Sequence, residues 1–189
     1  MSDDSPDSPI FKSTYQAVQV AYLMAAAPPT VKSMLRTCQE MYAEGQIEKS
    51  VNTSGINFGD SDSLEQRAEC ANIRKIVERT LSGAELDVVL ARFAVDYEQT
   101  KAVVRMQGHI KASITGVANK AADDIVMRIF CAPRHRDRLS LHNIARSHGV
   151  SYRTAKTAFR SAKDIVFSME QQALSRLSPI FIQGGIAES

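Results

Sequence analysis

Residues 140–166 read SLHNIARSHGVSYRTAKTAFRSAKDIV, and the fold turns on how this stretch divides. Ser140 carries the hydroxyl that caps a short helix, and Leu141, Ile144 and Ala145 would share one face of it. Gly149 can take the left-handed conformation that ends a helix, Val150 can fill the corner between two helices, and Ser151 can cap the next one. Beyond Ser151, Ala155, Ala158, Phe159, Ala162 and Ile165 recur at three- and four-residue spacing. Such a repeat buries one side of a helix and turns Tyr152, Arg153, Lys156, Thr157, Arg160 and Lys163 to the other. The division predicts a helix-turn-helix whose second helix is long and carries a basic, polar outer face.

The charge gathers around the same stretch. The chain has a formal net charge of +2, but residues 1–127 carry 13 Lys and Arg against 17 Asp and Glu, a balance of −4, while residues 128–189 carry 10 against 4, a balance of +6. From Arg128 to Lys163 there are nine cations and one acid, Asp137. A field of this kind attracts a polyanion. Arg134, Arg136 and Arg138 fall in the loop CAPRHRDRL, before the first helix of the motif, where they are placed to straddle a phosphate backbone. Arg146, at the end of that first helix, is expected on phosphate as well. When the first turns of the second helix of such a motif enter a major groove, the residues just after the cap meet base edges, here Ser151, Tyr152, Arg153 and Thr157, with Lys156 able to reach either a base or a phosphate. The planar fork of Arg153 suits guanine O6 and N7, and Arg160 and Lys163, further along, are expected on phosphate.

The run from Ile144 to Ser151, Ile-Ala-x-x-x-Gly-Val-Ser, with Arg160, Ser161 and Ala162 trailing it, resembles the DNA-reading helix pair in the fourth conserved region of primary sigma factors. FKSTYQAVQVAYLMAAAPP at 11–29, LSGAELDVVLARFA at 81–94 and the C-terminal motif, in that order, are similar to small proteins encoded in bacteriophage and prophage genomes near the late-gene control region, some of which resemble Q-type antiterminators. The resemblance covers most of the chain, with its sharpest part in the C-terminal motif. It implies a sequence-specific regulator of transcription acting on double-stranded DNA, with RNA polymerase as a further partner in antitermination. The acidic N-terminal part is then left to touch the polymerase, a second copy of the chain in a homodimer, or another partner. Many antiterminators of this kind carry a Cys-rich zinc element between helices, and this chain lacks one. A phage terminase small subunit, which also carries a helix-turn-helix but assembles into rings, is the alternative among DNA-packaging proteins. A helical interaction module whose basic face never meets DNA is the alternative outside nucleic-acid binding.

No stretch alternates as a strand, so the expected fold is all-α, a multi-helix bundle of seven or eight helices ending in the helix-turn-helix. Residues 1–10 are rich in Ser, Asp and Pro and read as a disordered tail, 11–45 as an N-terminal helical segment, 46–62 as a loop or linker, 63–178 as a helical body, and 179–189 as a loose tail. The N-terminal segment reads as a helix with a stripe of Tyr15, Val18, Ala21, Tyr22 and Ala25, stopped by Pro28-Pro29, and a second helix over Val31–Ala43. In the body, Ser63 opens a helix with an apolar face through Leu64, Ala68, Ala71, Ile73 and Ile76 to Leu81. Ser82 and Glu85 form a capping-box candidate. Tyr97 to Val117 can run as a long helix with Ala102, Val103, Met106, Ile110 and Ile114 inward. Asn119 is a candidate cap for KAADDIVMRIFC, and Pro179 is the expected end of the last helix.

Three cysteines, Cys38, Cys70 and Cys131, are odd in number and far apart, as expected of a reducing, cytoplasmic interior. The acidic start MSDDSPDSP lacks the basic region of a signal peptide, and no apolar run approaches a membrane span. Cys131, His135, His142 and His148 have poor spacing for a metal, with no Cys-x-x-Cys. The adjacent Asp123 and Asp124 point about 100° apart on a helix, which does not suit a general acid and base pair. No phosphate-cradling glycine loop or activated nucleophile stands out. The expectation is a protein that is not an enzyme, with no catalytic residue, metal or cofactor.

Overall fold

The computed structural model describes residues 9–27, 54–131 and 135–188. Among them the structure is all-α, with seven helices and no strand. They are α1 (Thr14–Ala26), α2 (Ser63–Thr80), α3 (Ala84–Phe93), α4 (Asp96–Lys111), α5 (Asn119–Phe130), α6 (Leu141–Ser147) and α7 (Tyr152–Gln183). No helix among the described residues is long and apolar enough to cross a membrane. The expected helix over Val31–Ala43, Cys38 and the first part of the expected loop lie outside the described residues. The described helices fall into two compact units, the first holding α1, α2 and the last turns of α7, the second holding α4, α5, α6 and most of α3 and α7.

In the first unit, α1 packs on α2. Ser13 caps α1 by accepting from the Gln16 N–H, and Ala27 closes it just before the two prolines, as the sequence suggests. The helix is buried almost all round rather than along one stripe: Val20, Leu23 and Met24 are covered, and Ala25 is exposed. Arg67 of α2 donates to the carbonyls of Met24 and Ala27, which satisfies acceptors at the end of α1 that no helix turn can reach. The N-cap of α2 is Asp62, in a reciprocal capping box with Glu65. Its buried face runs through Cys70, Ile73, Val77 and Leu81, and Leu64 and Ala68, expected to be inward, are exposed. The period is the expected one, and the buried stripe lies round from the expected phase because Cys70 and Val77 take the inner positions.

Two expectations for the C-terminal end are corrected. Helix α7 runs through Pro179 to Gln183. Pro179 lacks an N–H and costs the helix one hydrogen bond, but Leu177 and Phe181 on either side are fully buried and hold the turns in place. The segment after it is not a loose tail. The Ile186 N–H returns to the Phe181 carbonyl, the Phe11 N–H donates to Ile186, and the Glu188 N–H donates to Phe11. Phe11, Ile186 and Ala187 are buried, with an isolated parallel bridge between Phe11 and Ala187.

In the second unit, α4 packs on α5 and α5 on α6. Ala102, Val103, Met106 and Ile110, expected inward, are buried on α4, and Ile114, expected on the same helix, is buried beyond its end. The helix stops at Lys111, and Gly108 stays inside it. Helix α3 begins at Ala84, and the Gly83 carbonyl accepts from the Asp87 N–H, so Gly83 and not Ser82 precedes its first turn. Asn119 is the first residue of α5; its N-cap is Ala118, with no side-chain hydrogen bond. The inner face of α5, with Ile125, Val126, Ile129 and Phe130, is covered and forms the support on which α6 rests.

Candidate nucleic-acid interface

The interface is assembled from three local pieces. The first is helix α6, seven residues long. Ser140 caps it, accepting from the Asn143 N–H at 3.2 Å, and Ile144 and Ala145 are its buried residues. Its end is a left-handed cap: Gly149 has φ +64°, and the Val150 N–H bonds to the Ala145 carbonyl at 3.0 Å, the six-to-one bond of a Schellman motif. A Cβ at Gly149 would meet nothing within 4 Å, so the backbone angle alone calls for glycine.

The second piece is the start of α7. Ser151 Oγ accepts from the Thr154 N–H at 3.0 Å and lies 2.8 Å from the Thr154 hydroxyl. The apolar repeat behaves as its spacing predicts: Ala155, Ala158 and Ala162 are buried and Phe159 and Ile165 half-buried. Three alanines at the contact let other main chain approach closely. Ser151, Tyr152, Arg153, Lys156, Thr157, Arg160 and Lys163 are exposed. From Tyr152 to Lys163 they occupy an arc of about 140° on the helix opposite the alanines.

The third piece is the turn-rich segment before α6. Arg136 and Arg138 are exposed there, and so is Arg146 at the end of α6. Arg134 lies outside the described residues. The backbone of the segment is tied from inside: Arg128 Nη1 donates to the carbonyls of Arg136 and Leu139, and Asn143 Nδ2 donates to that of Asp137.

Several contacts were not legible in the sequence. His142 on α6 stacks on Tyr152 of α7, with ring centroids 4.2 Å apart and an interplanar angle of 24°. This fixes the ring of Tyr152 at the mouth of the turn. His148 Nε2 lies 2.7 Å from Asp124 Oδ2, which ties the turn to α5. Asp123, next in sequence, accepts instead from Lys111 of α4 at 3.0 Å. The two carboxylates serve different elements, as a separation of about 100° on a helix requires. Among the described residues no three His, Cys, Asp or Glu side chains form a group that could hold a metal ion.

The result is a surface on which a capped short helix, a glycine turn and the first turns of a long helix present cations outward, over a floor of alanine and isoleucine. Chemically it can bind a polyanion through guanidinium and ammonium groups, and it offers hydroxyl and aromatic groups beside them at the start of α7. No protein-family model matches this chain, and no curated protein does.

Proposed function

We propose that this chain binds double-stranded DNA sequence-specifically and regulates transcription, with α6 and α7 acting as a helix-turn-helix and the first turns of α7 reading the major groove. The observation that carries this reading is sidedness. Every described cation singled out in the sequence, Arg136, Arg138, Arg146, Arg153, Lys156, Arg160 and Lys163, is exposed, while Ile144, Ala145, Ala155, Ala158 and Ala162, interleaved with them on α6 and α7, are buried. The cap and turn supply the geometry such a motif needs, with Gly149 left-handed and Ser151 opening the second helix.

The roles divide by distance from the cap. Arg153 is two residues past Ser151, where a bidentate guanine contact worth about 1–3 kcal/mol of discrimination can form. Lys163 is ten residues further along α7, about 15 Å up the helix axis, and meets phosphate. The test compares Arg153→Ala with Lys163→Ala on a site selected from a random DNA pool and on its scrambled counterpart. Arg153→Ala should collapse the ratio of the two affinities, and Lys163→Ala should lower both together. Equal behaviour of the two variants would defeat the assignment.

A further inference from the structure

Arg128 sits among the cations of this surface and is used differently from them. It lies on α5, half-buried, and its Nη1 donates to two carbonyls of the segment that follows, Arg136 at 2.8 Å and Leu139 at 2.7 Å. Its guanidinium carbon lies 5.7 Å from the centre of the Phe159 ring on α7. Its Nε is buried and has no hydrogen-bond partner. A guanidinium with both hydrogens of one nitrogen spent on carbonyls and another N–H sealed from solvent is not placed to meet a phosphate.

Asn143 of α6 holds the same segment from a second side. Its Nδ2 donates to the Asp137 carbonyl at 2.9 Å, and that carbonyl also accepts from the Ser140 N–H at 3.2 Å. The carbonyls of Arg136, Asp137 and Leu139 are therefore all held by protein groups, while the side chains of Arg136, Asp137 and Arg138 are exposed. A segment of this kind left unbraced would have to be ordered at the moment of binding, and that ordering subtracts from affinity.

We propose that Arg128 is a positioning residue that locks the Arg136–Arg138 segment in register with α7, so that the cations of the segment and of the helix meet one phosphate backbone together. The proposal rests on the nucleic-acid reading above. Arginine is required because one nitrogen of its guanidinium donates to two carbonyls while the guanidinium carbon lies over the Phe159 ring. A lysine ammonium keeps the charge but cannot do both.

The experiment is a mutant cycle read on a duplex of random sequence over a range of salt concentrations, by fluorescence anisotropy, with melting temperature recorded for each protein. The proteins are wild type, Arg128→Lys, the pair Arg136→Ala with Arg138→Ala, and all three substitutions together. Asn143→Ala, alone and with the loop pair, is a second probe, read beside Arg146→Ala because Asn143 Oδ1 also accepts from Arg146 Nη2 at 2.8 Å. Arg128→Lys should weaken binding and flatten the slope of log affinity against log salt by up to two phosphate contacts, about 0.9 each. It should do nothing further once the two loop arginines are gone, and whatever Asn143→Ala loses beyond the loss of Arg146→Ala should vanish with them as well. An equal loss with and without the loop arginines, or no loss at all, overturns the proposal. A wild-type protein that binds DNA steeply with salt while the cycle is additive removes only this inference. A wild-type protein with no salt-dependent binding removes the nucleic-acid reading and the inference with it.

Discussion

The second unit carries cations in two ways. Where α3 meets α4 and α7, and where α4 meets α5, they are matched to carboxylates. Asp87 is buried and accepts from Arg105 Nε at 2.5 Å while His109 Nε2 lies 2.9 Å from its other oxygen. Arg92 Nε donates to the buried Glu170 at 3.1 Å and lies over the Phe130 ring. Lys111 pairs with Asp123. Between Arg136 and Lys163 the proportions are reversed, with one acid in the whole span and the cations on the outside. The net charge of +2 hides this. A cation opposite a buried carboxylate is part of the packing, and an exposed one in a span with a single acid can face a polyanion; the outer arc of α7 meets its first acid at Asp164, directly after Lys163.

The contrast predicts opposite consequences for substitutions in the two regions. The largest stability effect belongs to Asp87→Ala, which removes the acceptor shared by Arg105 and His109. Both partners reach solvent, so the loss is about 2 kcal/mol rather than that of a fully buried ion pair. That corresponds to a fall of roughly 4–8 °C in melting temperature, with affinity for DNA unchanged on the remaining folded protein. A variant that melts normally but loses DNA binding would erase the distinction between the regions. Next is Gly149→Ala. Its φ of +64° costs a side chain about 1 kcal/mol even though space is open around it. Here DNA affinity should fall as well, because the angle between α6 and α7 depends on this turn. Affinity unchanged at a lowered melting temperature would show that the turn matters to folding alone. The smallest stability effect is that of Lys163→Ala, within about 0.5 kcal/mol by thermal melting because the side chain is exposed. A large drop in melting temperature would mean that this lysine belongs to the packed class.

What the sequence made legible is local. The Ser140 and Ser151 caps, the Gly149 turn and the alanine repeat of α7 each need only a few consecutive residues, and each is found where its spacing places it. Contacts between distant residues were not legible. Nothing in IQGGIAES announces that its backbone will pair with Phe11, since that pairing uses main-chain groups every residue possesses. Pro179 is a stop signal by local rules, and it is overridden by burial of Leu177 and Phe181, which depends on the rest of the unit. Arg128 counted in the sequence only as one of the nine cations between residues 128 and 163. Its inward role follows from carbonyls eight and eleven residues ahead, turned toward it by a segment with no periodicity to read. The stack of His142 on Tyr152 likewise depends on the angle at which two helices leave a turn.

The central claim is that the exposed cations between Arg136 and Lys163 bind the phosphate backbone of double-stranded DNA. It is tested most directly by measuring the affinity of the unmodified protein for a random-sequence duplex from low to physiological salt. If most of these cations contact phosphates, log affinity should fall linearly with log salt with a slope of about −4 or steeper, at about −0.9 per contact. Affinity that hardly changes across that range, or no binding at the low-salt end, would contradict the account.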